Sequence, residues 1–217
     1  QNNLSPLTFR SIQGLYAPGS TFKMIVAIAG LYYGVINSNT DHYCNGKIAL
    51  GDRLYHCWKN NGHGLMNVDS SIKESCDVFF YEISKKIGID RIAKVAQDFG
   101  LGKIYNIPLS NQKLGIIPSK KWKKQKLGES WYPGETLISA IGQGFVLANP
   151  LQLANMTAII ASDGNIVEPK IINDNKKSDF ENLKKYSEAI KIVKKSMFKV
   201  VNENKGTAFK SKSEEVI

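Results

Sequence analysis

The sequence has no long apolar run, few arginines and an odd number of cysteines. No stretch of about 18 apolar residues occurs, so none of the 217 residues are predicted to span a membrane. Only three arginines are present among scattered lysines, which argues against nucleic-acid binding, where arginine clusters interleave with aromatic residues. Three cysteines cannot all form disulfides with one another. The net charge of +10 leaves open an anionic partner, such as a membrane surface or a wall polymer.

The remaining composition is that of an ordinary globular chain. Hydrophobic residues make up 42% and charged residues 22%, which excludes a disordered chain. A length of 217 residues is enough to bury one large core. The chain starts abruptly at Gln1 and shows no signal peptide.

Ser20 and Lys23 lie at the start of a predicted helix, one turn apart. Pro18 and Gly19 mark a turn just before them, and the apolar run that follows predicts a helix over residues 20–33. Side chains three residues apart share a helix face, so the amine is expected to reach the hydroxyl. A serine needs such a base for attack at neutral pH. Lysine can act as one only after losing its proton, which desolvation or cationic neighbours favour.

The alternative for this pair is a helix cap followed by a solvated lysine, because Ser-x-x-Lys is common by chance. Two further stretches therefore matter. Ser75-Cys76-Asp77 lies within a helical stretch or at a break between two, and alone it could be a surface turn. The block Trp131–Ala154 contains Gly142-Gln143-Gly144, whose glycines permit close backbone approach. For these glycines, tight packing beside the Ser20 helix is favoured over substrate contact.

Together these stretches closely resemble the class B penicillin-binding proteins, the acyl-serine transpeptidases that cross-link peptidoglycan. The resemblance rests on Gln13–Lys23, Ser75–Asp77 and Trp131–Ala154, and it covers nearly the whole chain. It is strongest to the penicillin-binding protein 2 branch, the elongation transpeptidases. It implies an α+β fold, the transpeptidase fold shared with serine β-lactamases. Residues 1–217 would be a partial transpeptidase domain, mainly its helical part, that ends before the family's third motif, Lys-Ser/Thr-Gly, and lacks the C-terminal sheet strands.

The resemblance also implies roles for the site residues. Ser20 would be the nucleophile, Lys23 the base, Ser75 the proton shuttle and Asp77 the residue that orients it. Most relatives carry Asn where this chain has Asp77, but the elongation branch often carries Asp. The backbone N–H of Ser20, at a helix N-terminus, would supply half of an oxyanion hole. The other half would come from the missing strand, so the chain alone is expected to be a poor enzyme.

The implied substrate is the D-Ala-D-Ala stem peptide of peptidoglycan, with β-lactams as mimics and hence as antibiotics that target the site. The implied location is the periplasmic face of a bacterial inner membrane, with the membrane anchor and the contacts to elongation-complex membrane proteins outside this chain. The alternatives are a non-catalytic scaffold of the cell-wall elongation machinery, or a β-lactamase of related fold. Lys205-Gly206-Thr207 looks like a scrambled third motif. In relatives, however, Gly-Thr-Ala precedes the true Lys-Ser/Thr-Gly motif, so Gly206-Thr207-Ala208 is assigned to that earlier position.

All three cysteines, Cys44, Cys57 and Cys76, are spaced around His63 as C-x12-C-x5-H-x12-C. Three thiolates and an imidazole can form a tetrahedral structural zinc site. The alternative is a Cys44–Cys57 disulfide, a free Cys76 and His63 in a turn. The resemblance favours zinc, because some elongation-type relatives carry a zinc site here whose last ligand is the middle residue of the second motif. Residues 40–68, a polar excursion, would then be a zinc-binding insert. The other candidate ligands are His42, His56 and, more weakly, Asp52.

Apolar periodicity and turn residues predict the remaining elements. The predicted strands are 47–50, 53–57 and 167–172. The predicted helices are a helix capped by Asp69 or Ser70 and ending near Ile87, one capped by Asp90 and ending near Phe99, and further helices at 120–126, 135–141, 150–162 and 179–202.

Overall fold

The chain is mainly helical, and a computed structural model describes residues 8–166, 168–172 and 182–213. The helices of this part are α1 (Arg10–Gln13), α2 (Lys23–Tyr32), α3 (Val68–Lys73), α4 (Asp77–Ile87), α5 (Ile89–Asp98), α6 (Lys120–Leu127), α7 (Pro133–Ala140), α8 (Pro150–Ala161) and α9 (Ser187–Asn202). The strands are β1 (His42–Cys44), β2 (Lys47–Leu50), β3 (Arg53–His56) and β4 (Gly64–Met66). No helix of the described ranges is both long enough and apolar enough to cross a membrane.

Helix α2 lies at the centre of the fold. It is apolar on almost every side, and it contacts α4, α5 and α9. Such a helix is stable only when it is surrounded, and each fully buried isoleucine, such as Ile25 or Ile28, contributes about 1.5–3 kcal/mol. The predicted helix over residues 20–33 is confirmed, with one difference. Its first turn, Gly19–Phe22, is a tighter 3-10 turn.

The sequence left open one continuous helix to Ile87 or a break at Ser75–Asp77, and the structure has the break, which separates α3 from α4. Asn67, rather than Asp69 or Ser70, caps α3, because its side chain accepts a hydrogen bond from the Ser70 backbone N–H. The helix then ends at Lys73, and Ser75 adopts a left-handed backbone with φ of 54°. The chain resumes as α4 at Asp77. The break leaves a sharp turn at Ser75, whose hydroxyl contacts both Ser20 and Lys23.

The polar excursion forms two small antiparallel sheets of two strands each. Strands β2 and β3, both predicted from the sequence, pair with each other, and β1 pairs with β4. The second pair escaped prediction because each strand has only three residues and the two are separated by the first hairpin. In its register Cys44 lies opposite Gly64, which brings the neighbouring His63 to the Cys44 side chain.

Three other sequence predictions change in detail. Gly88, not Asp90, precedes α5, and the Asp90 carboxylate instead accepts a hydrogen bond from the backbone N–H of Lys120. Val167 lies outside the described residues, and no strand occurs at 168–172. Helix α9 begins at Ser187, after a 3-10 turn at Lys184–Tyr186, whereas residues 179–181 of the predicted helix lie outside the described ranges.

Asp98, at the end of α5, joins this helix to the turn before α9. Its carboxylate accepts hydrogen bonds from Lys94 at 2.6 Å, Lys185 at 2.9 Å and the Tyr186 hydroxyl at 2.8 Å. Burial alone would raise the pKa of Asp98, but these three donors lower it below its usual value. The carboxylate therefore stabilises the fold above its ordinary pKa, and this contribution is lost as the pH falls through the lowered one.

Asp98→Asn is expected to lower the free energy of unfolding by about 1–2 kcal/mol at pH 7, because a charged acceptor becomes a neutral amide. The difference from the wild type should shrink at pH 2. Urea unfolding at both pH values measures it. An equal loss at both would show that the carboxylate charge plays no part.

Candidate active site

Ser20 lies in the 3-10 turn that leads into α2. The turn is held against the loop after α7, because the Gly19 N–H donates to the carbonyl of Gly142 at 2.9 Å. A side chain at Gly142 would overlap the Gly19 backbone. The predicted close packing at Gly142 is therefore confirmed. The contact between the two glycine backbones fixes the position of Ser20 relative to the loop after α7. By helix geometry, the Ser20 N–H at this N-terminus has no acceptor within its own helix.

Lys23 is buried, with 2% of its surface exposed, and its ammonium makes three hydrogen bonds. Nζ donates to the Ser75 carbonyl at 2.9 Å, to Ser75 Oγ at 3.0 Å and to Asp77 Oδ1 at 2.6 Å. The ring of Phe80 lies 5.6 Å away. These three acceptors use every N–H of the ammonium, so the lysine is held in one position.

Ser75 lies between Lys23 and Ser20. Its Oγ donates to Ser20 Oγ at 3.0 Å, while it accepts from Lys23 Nζ. The sequence had predicted that the lysine would reach the Ser20 hydroxyl directly. In the structure the three hydrogen-bond acceptors of the amine belong to Ser75 and Asp77, so the connection to Ser20 passes through the Ser75 hydroxyl. The left-handed turn at Ser75 makes this arrangement, because it directs both the hydroxyl and the carbonyl towards α2.

Asp77 is the first residue of α4 and is 8% exposed. One carboxylate oxygen binds Lys23, and the other accepts the backbone N–H of Trp58 at 2.9 Å. A carboxylate at a helix N-terminus is favoured by the helix dipole. Asp77 therefore joins α2, α4 and the excursion at one point.

A groove of about 790 Å³ opens beside these residues. Its lining includes Ser20, Ser75 and three side chains that sequence reasoning had given no role at the site, Trp58, Gln143 and Thr207. A smaller cavity of about 280 Å³, lined mainly by apolar residues from α2, α3 and α9, also opens at Ser20.

The four residues of the cysteine and histidine set come together beside the groove. The sulfurs of Cys44, Cys57 and Cys76 and a ring nitrogen of His63 all lie within 4.8 Å of one another. His63 Nδ1 is 3.6 Å from Cys44 Sγ and 3.5 Å from Cys57 Sγ. All three cysteines are free and buried, so the structure does not contain the alternative Cys44–Cys57 disulfide.

The other imidazoles do not join this cluster. His42 packs edge-on against Phe79, and burial, assisted by the positive charge of Lys86, lowers its pKa. His56 is exposed on β3, and Asp52 lies in the exposed turn between β2 and β3. Neither His56 nor Asp52 belongs to the group of metal-ligating residues that the described ranges contain.

The electrostatics of the cluster favour thiolate. A hydrogen bond from the Cys76 thiol, assisted by backbone N–H groups that include those of Asp77 and Val78, lowers the pKa of Cys57 to about 5. The same hydrogen bond, with burial, raises the pKa of Cys76. The lowered pKa of Cys57 favours the thiolate form, which is the form that binds a metal. A tetrahedral zinc ion with Zn–S bonds of about 2.3 Å places its sulfurs about 3.8 Å apart, so this donor set and spacing fit zinc.

Comparison with known proteins agrees with the geometry. Residues 1–216 match the penicillin binding protein transpeptidase domain. The chain belongs to the penicillin-binding protein transpeptidase family. It is 36% identical over 170 residues to the peptidoglycan D,D-transpeptidase MrdA of Escherichia coli K12, an alignment that covers 77% of this chain and 27% of MrdA. The chain therefore spans about a quarter of the length of that relative.

Solved structures give the same result. The transpeptidase-family chain matches penicillin-binding protein 2 from Helicobacter pylori, solved as a complex with MreC, with a TM-score of 0.91 and 33% identity, over 98% of this chain and 40% of that one. It also matches Pseudomonas aeruginosa PBP2 in complex with WCK 5153, with a TM-score of 0.85 and 35% identity, over 94% of this chain and 49% of that one. The resemblance to the penicillin-binding protein 2 branch and the α+β transpeptidase fold are confirmed.

Proposed function

We propose that this chain carries the acyl-transfer site of a peptidoglycan D,D-transpeptidase that acts during cell elongation. The observation that carries the proposal is the unbroken hydrogen-bonded path from Ser20 Oγ through Ser75 Oγ to Lys23 Nζ, with both steps at 3.0 Å. A path of this kind can take the proton from a serine as it attacks a carbonyl. The groove beside it is large enough for a peptide.

In the first step Ser20 Oγ bonds to the carbonyl carbon of the penultimate D-Ala of a stem peptide. The Lys23 amine must be neutral for this step, so that the two hydrogen bonds run from Ser20 Oγ to Ser75 Oγ and from Ser75 Oγ to Nζ, the reverse of their directions when Lys23 is an ammonium. The serine proton then passes through the Ser75 hydroxyl to the amine. Asp77, 2.6 Å from Nζ, stabilises the ammonium that forms. The bond to the terminal D-Ala then breaks as its nitrogen takes a proton back along the same path. In the second step the amine of a neighbouring stem attacks the ester, forms the cross-link and restores the Ser20 hydroxyl.

The carbonyl oxygen becomes negative during both steps. The Ser20 N–H, at the N-terminus of the turn leading into α2, is placed to donate to it. β-Lactams would be attacked in the same way, because their ring amide stands in for the D-Ala-D-Ala bond, and opening the ring leaves an ester on Ser20.

The natural setting we propose is the periplasmic face of the inner membrane, within the elongation machinery. This rests on the likeness to MrdA and to penicillin-binding protein 2 proteins, one of them solved with MreC. Stem peptides and β-lactams would be the ligands of the groove, and membrane proteins of the elongation complex the partners of the whole protein.

We further propose that Cys44, Cys57, His63 and Cys76 hold one zinc ion with a structural role. The support is the donor set, its spacing and the lowered pKa of Cys57. Zinc would supply a fixed tetrahedral centre for a polar excursion that has little apolar core of its own. Cys76 lies between Ser75 and Asp77, so fixing its sulfur would restrain the turn that carries both side chains.

Labelling with a β-lactam tests the proposed activity. The full-length natural protein is incubated with benzylpenicillin, and its intact mass is compared with that of a heat-denatured sample. We expect one adduct per chain, and peptide mapping should place it on Ser20. A native protein that acquires no adduct would contradict the transpeptidase proposal and favour a non-catalytic scaffold.

Metal removal tests the zinc proposal. The protein as purified under reducing conditions should contain one zinc per chain, and Cys76→Ser should reduce this. If the site contributes about 3 kcal/mol, its loss lowers Tm by about 6–12 °C for a domain of this size. Elemental analysis and thermal unfolding measure both effects. His56→Gln, at an exposed imidazole outside the cluster, is the matched control. Full stability in a chelator-treated, metal-free protein would exclude a structural zinc.

A further inference from the structure

Trp58 contacts the catalytic turn although it belongs to the excursion. Its indole Nε1–H lies between two backbone carbonyls, at 3.0 Å from that of Ser75 and 3.2 Å from that of Glu74. Its own backbone N–H donates to Asp77 Oδ2 at 2.9 Å. Trp58 thus contacts the turn from both its backbone and its side chain.

The turn that it contacts is strained. Ser75 has a φ of 54°, a left-handed conformation that costs a residue with a side chain roughly 1–2 kcal/mol. Such a conformation persists only when its surroundings hold it. The Ser75 carbonyl accepts from two donors, Lys23 Nζ at 2.9 Å and Trp58 Nε1 at 3.0 Å. Of these, Lys23 must change its protonation during the proposed reaction, whereas the indole N–H stays a donor throughout.

We infer that Trp58 is a positioning residue for acyl transfer: its indole N–H holds the Ser75 turn in place while the proton moves between Ser20, Ser75 and Lys23. The inference rests on the proposed transpeptidase function. Trp58 itself need not touch the reacting atoms.

The surroundings of the indole argue against a purely packing role. The residue is 59% exposed, so it fills no core, and its ring lines the groove. It stands edge-on to the His63 ring, with the centroids 5.3 Å apart. The indole is therefore oriented by the excursion beneath it and directs its one polar atom at the catalytic turn. Trp58 is exposed enough for its indole N–H to bond to water, but the N–H donates to two backbone carbonyls instead.

The consequence is a specific kinetic defect. Loss of the N–H should leave the groove able to bind ligand but allow the turn to relax, so that the Ser75 hydroxyl leaves its position between the nucleophile and the base. Misplacement of a reacting group by about 1 Å can cost as much as ~100-fold in rate. The Ser75 carbonyl has two donors, Lys23 Nζ and Trp58 Nε1, and the substitution removes only the second. We therefore expect the acylation rate constant to fall by about 10-fold.

The experiment measures nitrocefin acylation of the full-length protein by stopped flow, which separates the dissociation constant of the initial complex from the acylation rate constant. Trp58→Phe keeps an aromatic ring but removes the N–H. A second variant carries 3-benzothienylalanine at position 58, which replaces the indole N–H by sulfur and keeps the ring shape. The matched control is Trp131→Phe, which removes an indole N–H bonded to Thr136 Oγ1 at 2.8 Å, at the start of α7.

Both Trp58 variants should acylate about 10-fold more slowly, with the dissociation constant within twofold of wild type, and Trp131→Phe should keep the wild-type rate constant. The inference is overturned if the benzothienyl variant acylates at the wild-type rate, or if the dissociation constant rises while the rate constant is unchanged. Wild-type protein measured in parallel separates the two proposals, because absence of its acylation at Ser20 overturns the function and not merely the role of Trp58.

Discussion

Replacing Ser20 with alanine is expected to abolish the covalent β-lactam adduct. The substitution removes one oxygen atom from a 3-10 turn whose backbone is held by the Gly19–Gly142 hydrogen bond, so the groove should keep its shape. Only the bond-forming atom is lost, and the hydroxyl of Ser75 cannot take its place because the left-handed turn holds it against Lys23. Intact-mass spectrometry after prolonged incubation with benzylpenicillin measures the adduct.

Ser71→Ala is the matched control for this substitution. Ser20 is exposed at the groove, whereas Ser71 is fully buried on α3 and its hydroxyl has no hydrogen-bond partner. We expect a full adduct in this variant and a Tm close to that of the wild type. An adduct that persists in Ser20→Ala would assign the nucleophile to another residue and contradict the proposed mechanism.

Replacing Lys23 with methionine should slow acylation at least 100-fold while Ser20 stays in place. Methionine keeps most of the buried volume but offers no group to receive the proton, and general-base catalysis typically contributes about 100- to 10,000-fold. The rate constant for acylation, measured by stopped flow with nitrocefin, should fall, whereas slow labelling at Ser20 should remain detectable.

Loss of a buried ion pair could lower the rate through instability alone, and Lys123→Met tests this. Lys123 is equally buried and is paired with Glu135 at 2.5 Å, but it lies on α6, away from the site residues. Both variants are expected to lose stability, because each leaves a carboxylate without its partner. Only Lys23→Met should lose acylation. Equal kinetic losses in the two would mean that Lys23 serves the fold and not the reaction.

The local parts of the site could be predicted from sequence, because their signals lie within a few residues. Pro18 and Gly19 before an apolar run indicate a turn entering a buried helix, and the structure confirms this. The cluster of Cys44, Cys57, Cys76 and His63 was also predicted, but on the resemblance to elongation-type relatives, because the spacing alone left a disulfide and other ligands open.

The connections between these parts could not be predicted in the same way. Lys23 and Asp77 are 54 residues apart, and their contact depends on how α4 packs against α2. A break at Ser75–Asp77 was one of two alternatives in the sequence, but no glycine or proline marks the left-handed turn itself. Tertiary hydrogen bonds compensate for the strain there. Trp58 bonds to backbone carbonyls, which every residue carries, so no particular partner in the sequence could indicate its place.

The contact between Gly19 and Gly142 limits how such a site could escape an inhibitor by mutation. Any side chain at Gly142 would overlap the Gly19 backbone next to Ser20. If Ser20 is the nucleophile, as proposed, we expect such a change to slow the reaction with stem peptide and β-lactam alike. Selective resistance would instead have to arise at groove side chains such as Gln143 or Thr207, which can alter the fit of one ligand while the serine stays where it is.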